Sequence, residues 1–211
     1  MKKKQVVLVV LTIITLSACK SNAKKDANLT VLQMLMAGNE KYQNFNPTHP
    51  DQSKARLAEV FKGQHPKAVV VTCSDSRVSP ELIFDQGIGD LFVIRTAGHA
   101  VSDYEMASIE YAVEHLAVKD IIVLGHESCG AIKAFLEHPK DSLPKHLNHL
   151  VDYFRNETEE KLPLEHQDVK EAIVANVKHT VKLIQKDFEP NEVTVHGLYY
   201  NLESGKVDAV K

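Results

Sequence analysis

Lys67-Ala-Val-Val-Val-Thr72 runs directly into Cys73-Ser-Asp-Ser-Arg77. The first stretch is β-branched and lacks polar alternation. That pattern reads as a strand covered on both faces, as in a parallel sheet. The same design recurs downstream, where Asp120-Ile-Ile-Val-Leu124 is followed by Gly125-His-Glu-Ser-Cys-Gly130. Leu91-Phe-Val-Ile-Arg95 reads as another buried strand, and residues 192–196 as a fourth.

Helical signals fill the intervals. Ser79-Pro80-Glu81 starts a short helix with proline at its first position. Ser102-Asp-Tyr-Glu105 is a capping box opening a helix to about Leu116. A helix is expected to begin near Ser128, and residues 169–188 form a long amphipathic one. Upstream, Val31, Leu32, Leu35 and Met36, with Tyr42 and Phe45, fit one helical stripe. A second helix is expected over 52–62, stopping at Gly63. Apolar strands alternating with helices predict an α/β fold, a mainly parallel central β-sheet flanked by helices, in one domain over 29–211.

Composition narrows the function classes. Of 211 residues, 44% are hydrophobic and 25% charged, a globular balance. The formal net charge of −3 and the lack of a basic stripe argue against nucleic acid as a partner. Three cysteines are too few for a disulfide scaffold.

In parallel sheets chemistry gathers beyond the carboxyl ends of the strands. Cys73 ends the first strand, while His126 and Cys129 follow the third in an H-x-x-C spacing. If those strands are neighbours, two sulfurs and an imidazole converge, a ligand set suited to Zn²⁺. Three protein ligands leave a fourth tetrahedral position for water or substrate. Asp75 and Arg77 lie two and four residues past Cys73. An Asp held by an Arg stays ionised. It could orient a water at the metal, or ligate the metal itself and close the site. Two other readings stand beside this one: a loop-organising ion pair, and a Cys73–Cys129 disulfide. His146 and His149, three apart, lack a third ligand and are expected in solvent; His99, His115 and His196 are expected as packing histidines.

Cys73-Ser-Asp-Ser-Arg77 together with His126-Glu-Ser-Cys129-Gly130 resembles the beta-class carbonic anhydrases. Gly63-Gln-His-Pro-Lys67 and Ile109-Glu-Tyr-Ala-Val113 match as well, and the similarity runs from about Leu29 to Gly205. The resemblance implies one Zn²⁺ per chain on Cys73, His126 and Cys129, with Asp75 and Arg77 as a catalytic dyad. It implies that Gln64 bonds substrate, that Phe92 and Tyr111 line a CO₂ pocket, and that the Gly130 N–H faces the site. The implied activity is reversible hydration of CO₂ to bicarbonate by a zinc-bound hydroxide. Part of such a pocket comes from a neighbouring chain, so a homodimer or higher even oligomer is expected. Some members hold inhibitory bicarbonate beside a Trp three residues before the first ligand; here that position is Val70, with Arg95 the remaining residue of that pocket. Two alternatives are a CS₂ or carbonyl sulfide hydrolase on the same scaffold, and a non-catalytic, zinc-stabilised binding module.

Lys2, Lys3 and Lys4 precede an apolar run from Val6 to Leu16. The run is short for a membrane span, which needs roughly 20 residues, and reads as an export signal. Leu16-Ser17-Ala18-Cys19 resembles a lipobox. The expectation is cleavage of 1–18, lipid on Cys19, a flexible tether over 19–28, and an exported lipoprotein anchored to a membrane and facing the periplasm or the cell exterior.

Overall fold

The computed structural model describes residues 29–138, 143–156 and 168–211. The leader, the tether and Cys19 lie outside the described residues. Two units are distinguished, with the boundary between Met34 and Leu35. In the first, the Thr30 hydroxyl accepts from the Gln33 N–H while the Gln33 side chain accepts from the Thr30 N–H, a reciprocal cap. That cap opens α1, Val31–Gln43. The second unit, Leu35–Lys211, carries the sheet and all the strands among the described residues. No helix among the described residues is long and apolar enough to cross a membrane.

The remaining elements are α2 (Lys54–Val60), β1 (Ala68–Cys73), α3 (Pro80–Ile83), β2 (Leu91–Thr96), a 3₁₀ turn (Ala97–His99), α4 (Asp103–Leu116) and β3 (Asp120–His126). Then come α5 (Gly130–Glu137), α6 (Lys145–Asn156), α7 (Val169–Lys186), β4 (Thr194–Tyr200) and β5 (Val207–Ala209). The sheet order is β2-β1-β3-β4-β5. The first four strands are parallel and β5 is antiparallel to β4. The α/β expectation holds.

β1 is buried at all six positions, as its unbroken apolar run requires. Val69, Val71, Ile121 and Val123 share a core with Ile109 and Val113 of α4 and Val177 and Ile184 of α7. Each such side chain contributes about 1.5–3 kcal/mol by leaving water. Val70 and Ile122, on the opposite face, are equally buried. Thr72, the one polar residue of β1, donates its hydroxyl to Leu124 O at 2.8 Å, so it enters the interior satisfied.

Several expectations shift. β2 has the sequence of a buried strand, yet only Ile94 is buried. Among the described residues it is an edge strand, paired only with β1, so its exposed side chains have no described strand beyond them. β4 starts two residues later than expected and runs on through Gly197 to Tyr200. A side chain at Gly197 would stand 3.0 Å from Val177, so this glycine marks close helix packing and does not end the strand. Phe45 leaves the α1 stripe and is 94% exposed.

The chain order places the site. From β1 it moves to β2 on one side, then returns past β1 to β3 on the other. The carboxyl ends of β1 and β3 therefore bound the switch-point crevice, where ligands settle in open parallel sheets. Cys73 lies one residue beyond the paired Thr72, and His126 two beyond its partner Leu124.

Candidate metal centre

Cys73, His126 and Cys129 converge at that crevice, all buried, with their ligand atoms within 4.8 Å of one another. Each is set by local structure. Cys73 is the last residue of β1. His126 is the last residue of β3, fully buried, with Nδ1 2.9 Å from the Glu127 carbonyl oxygen. The Glu127 peptide is fixed in turn, since its N–H donates to Tyr200 O at 2.8 Å. That carbonyl accepts, so the His126 proton sits on Nδ1 and Nε2 presents a lone pair. Ser128, with φ of 55°, turns the chain. Cys129 then stands at the N-cap of α5.

The donor set fits Zn²⁺. The cysteines are not joined, and their sulfurs are 4.0 Å apart. Tetrahedral Zn–S bonds of about 2.3 Å would place two sulfurs roughly 3.8 Å apart. His126 Nε2 is buried and has no hydrogen-bond partner among the described residues, a costly state for a ring nitrogen unless something else satisfies it. A hydrogen bond from Cys129, outweighing burial and helped by the Gly98 N–H, pushes the Cys73 thiol down. Cys129, which keeps the shared proton, moves up. The direction favours a thiolate on Cys73, and the thiolate is the form that binds metal.

Asp75 stands beside the cluster, its Oδ2 3.9 Å from His126 Nε2. Arg77 donates to both of its oxygens, Nε to Oδ1 at 2.9 Å and Nη2 to Oδ2 at 2.7 Å, and the Arg77 N–H adds a bond of 3.0 Å. These bonds, Arg77's side chain foremost, outweigh burial and hold the carboxyl well below the usual carboxylate range. Gly130 opens α5 directly after Cys129, exposed, with nothing within 4 Å of where a Cβ would be.

Gln64, Phe92 and Tyr111 do not join this cluster within one chain. Phe92 pairs with Val69, four residues below the Cys73–Thr96 rung, about 13 Å along the strand. Tyr111 is 45% exposed on α4, its ring centroid 6.2 Å from that of Phe92. Gln64 is exposed in the loop entering β1, at the opposite end of that strand from Cys73. Spacing along one chain carries no information about which strand end a second copy would face.

Arg95 proves to be a strut. Its Nε donates to Cys73 O at 3.2 Å and its Nη2 to Asp75 O at 2.7 Å, so it fixes the backbone between ligand and carboxylate. Two contributors are not evident from sequence motifs. The Gly98 N–H donates to Cys73 Sγ at 3.3 Å, from a left-handed residue with φ of 63°. Asn176 contacts the same turn. The available signals were a glycine just past a strand end, for Gly98, and a polar residue in the apolar stripe of α7, for Asn176. His99 is buried, as expected; burial pushes it down to about 4 and leaves it neutral. His196 instead pairs with Asp120 at 3.1 Å, and His115 lies exposed against Tyr111.

Comparison with known proteins agrees with the geometry. A family model described as carbonic anhydrase matches residues 68–207. A carbonic anhydrase of Synechocystis sp. is 32% identical over 197 residues, covering 83% of this chain and 70% of that protein. Carbonic anhydrase 2 of Mycobacterium tuberculosis is 53% identical over 102 residues, 48% of this chain and 49% of that protein. The match thus spans about half the length of the first curated relatives. The solved beta-carbonic anhydrase CcaA superposes with a TM-score of 0.63 at 30% identity, covering 83% of this chain and 86% of that one.

Proposed function

The chain belongs to the beta-class carbonic anhydrase family, and from that footing we propose that it interconverts CO₂ and bicarbonate at a Zn²⁺ held by Cys73, His126 and Cys129. The observation that carries the proposal is the buried Cys-His-Cys cluster with an ionised carboxylate 3.9 Å from its imidazole. A structural site needs no such neighbour. When bound, Zn²⁺ supplies Lewis acidity that brings the pKa of a water from about 15.7 towards about 7.

The chain's own groups do the rest. Asp75, kept anionic by Arg77, accepts a hydrogen bond from the attacking water and aims its lone pair at CO₂. With both its oxygens bonded to Arg77, the carboxylate favours this orienting role over ligation. Arg95 keeps Asp75 and Cys73 in register by bonding both carbonyls. His126 is held in one tautomer by the Glu127 carbonyl, so its Nε2 lone pair is directed to the metal position.

Gln64, Phe92 and Tyr111 would complete the substrate pocket in a homodimer or higher even oligomer. The half-exposed Phe92–Tyr111 pair beside the open edge of β2 supports this. Membrane anchoring through lipid on Cys19 rests on Leu16-Ser17-Ala18-Cys19 alone. Replacing Cys19 with Ser should move the full chain from the detergent phase to the aqueous phase on phase separation.

Rapid-mixing CO₂ hydration at pH 8 tests the activity. Zinc-loaded wild type should be active and Asp75→Ala nearly inactive. Zinc-loaded protein without activity would make the cluster structural.

A further inference from the structure

We propose that Asn176 is a positioning residue for the metal centre: its amide locks the left-handed Gly98–His99 turn and so keeps the Gly98 N–H on the Cys73 sulfur. The inference rests on reading Cys73, His126 and Cys129 as a metal centre.

Asn176 sits on α7 and is 1% exposed. Its neighbours on the buried face are Ala172, Ile173, Val177, Thr180 and Ile184. A polar side chain in such a stripe is costly unless bonded. Asn176 Nδ2 lies 2.9 Å from Gly98 O and 2.9 Å from His99 Nε2. The side-chain orientation is fixed by chemistry, because an oxygen at that position would face the lone pairs of the Gly98 carbonyl. Both amide hydrogens are therefore donated to adjacent residues of one turn. With Asn176 Nδ2 as donor, His99 Nε2 accepts and the His99 proton is on Nδ1, a buried atom with no hydrogen-bond partner among the described residues.

That turn resists its own conformation. Gly98 has φ of 63° and His99 φ of 49°. The left-handed region is unfavourable for a residue with a Cβ, so His99 stays there only under restraint. Asn176 supplies restraint at both residues. The Gly98 N–H reaches Cys73 Sγ at 3.3 Å only while this geometry holds. An N–H aimed at a thiolate sulfur stabilises its negative charge, and outer bonds of this kind typically change metal affinity by about 10–100-fold. Asn176 thus acts on a ligand at two removes, from a helix that contributes no ligand.

Cobalt(II) binding to the full chain tests this. The readouts are its dissociation constant and the sulfur-to-cobalt charge-transfer band. Asn176→Leu keeps the size and removes both donors. Asn176→Asp keeps the shape and replaces the donor by an acceptor. Thr180→Val, one turn along the same buried face, controls for disturbance of α7. Both Asn176 variants should weaken cobalt binding about tenfold or more and shift the band, while Thr180→Val stays within about twofold of wild type. Unchanged affinity and band in a folded Asn176 variant would overturn the inference. So would failure of both variants to fold while Thr180→Val folds, since Asn176 would then be a structural residue. Wild type that takes up no cobalt would overturn the metal-centre reading, and this inference with it.

Discussion

Two glycines flank the cluster, and exchanging each for alanine separates space from residue type. At Gly98 a Cβ would stand 2.5 Å from Phe154 Cζ and 3.1 Å from Ala131 Cβ. At Gly130 nothing lies within 4 Å. Gly98→Ala also forces a side chain into the left-handed region, at about 1–2 kcal/mol. Overpacking against the buried Phe154 ring adds about 1–3 kcal/mol. The total is about 2–5 kcal/mol. With a urea dependence of about 2 kcal/mol per molar, the unfolding midpoint should fall by about 1–2.5 M. Gly130→Ala should hold its midpoint or gain up to about 1 kcal/mol, because alanine restricts the unfolded chain and fits the helix. Urea titrations followed by circular dichroism, on zinc-loaded and chelated protein, measure both. An unchanged midpoint for Gly98→Ala, or an equal fall for Gly130→Ala, would refute the packing account.

Arg77→Met removes two of the three bonds on Asp75 and should lower kcat for CO₂ hydration about 10–100-fold with fold intact, checked by stopped flow beside circular dichroism. Burial would raise the buried Asp85 carboxyl, but the hydroxyl and N–H of Thr48, the N–H of His49 and then Lys41 hold it below its usual value. A depressed carboxylate stabilises the fold above the unfolded pKa of about 3.9 and loses that contribution as pH falls through the folded value. The urea midpoint should therefore drop between pH 5 and pH 3, and Asp85→Asn should flatten the drop; parallel curves would contradict it. Stripping metal with a chelator should expose two thiols to a thiol reagent that zinc-loaded protein protects, and mild oxidation of the stripped form should join them, read by mass spectrometry.

The core strands are legible in the sequence because burial on both faces writes itself as an unbroken apolar run, as in Val69 to Val71. The same signal misleads at β2, since Leu91 to Ile94 is equally apolar and nothing local marks an edge. The end of β4 is hidden because Gly197 looks like a stop until α7 is laid across it. β5, three residues of Val-Asp-Ala, is too short to carry a pattern. At the centre, Cys73, His126 and Cys129 are legible because equivalent ends of adjacent parallel strands meet. The remoteness of Gln64, Phe92 and Tyr111 is not, because it depends on which end of the sheet each occupies. Asn176 leaves one trace, polarity amid an apolar helical face, and its partner is identifiable only in three dimensions.

The two sulfurs of the centre are 56 residues apart along the chain. A covalent tie closing a loop of that size would withdraw about 4 kcal/mol of freedom from the unfolded state. An ion gripping both would be a detachable version of such a clasp. Both sulfurs could grip one ion only once β1 and β3 are paired. Metal uptake would thus report that the sheet has closed, and metal starvation would loosen the scaffold as well as silence the chemistry.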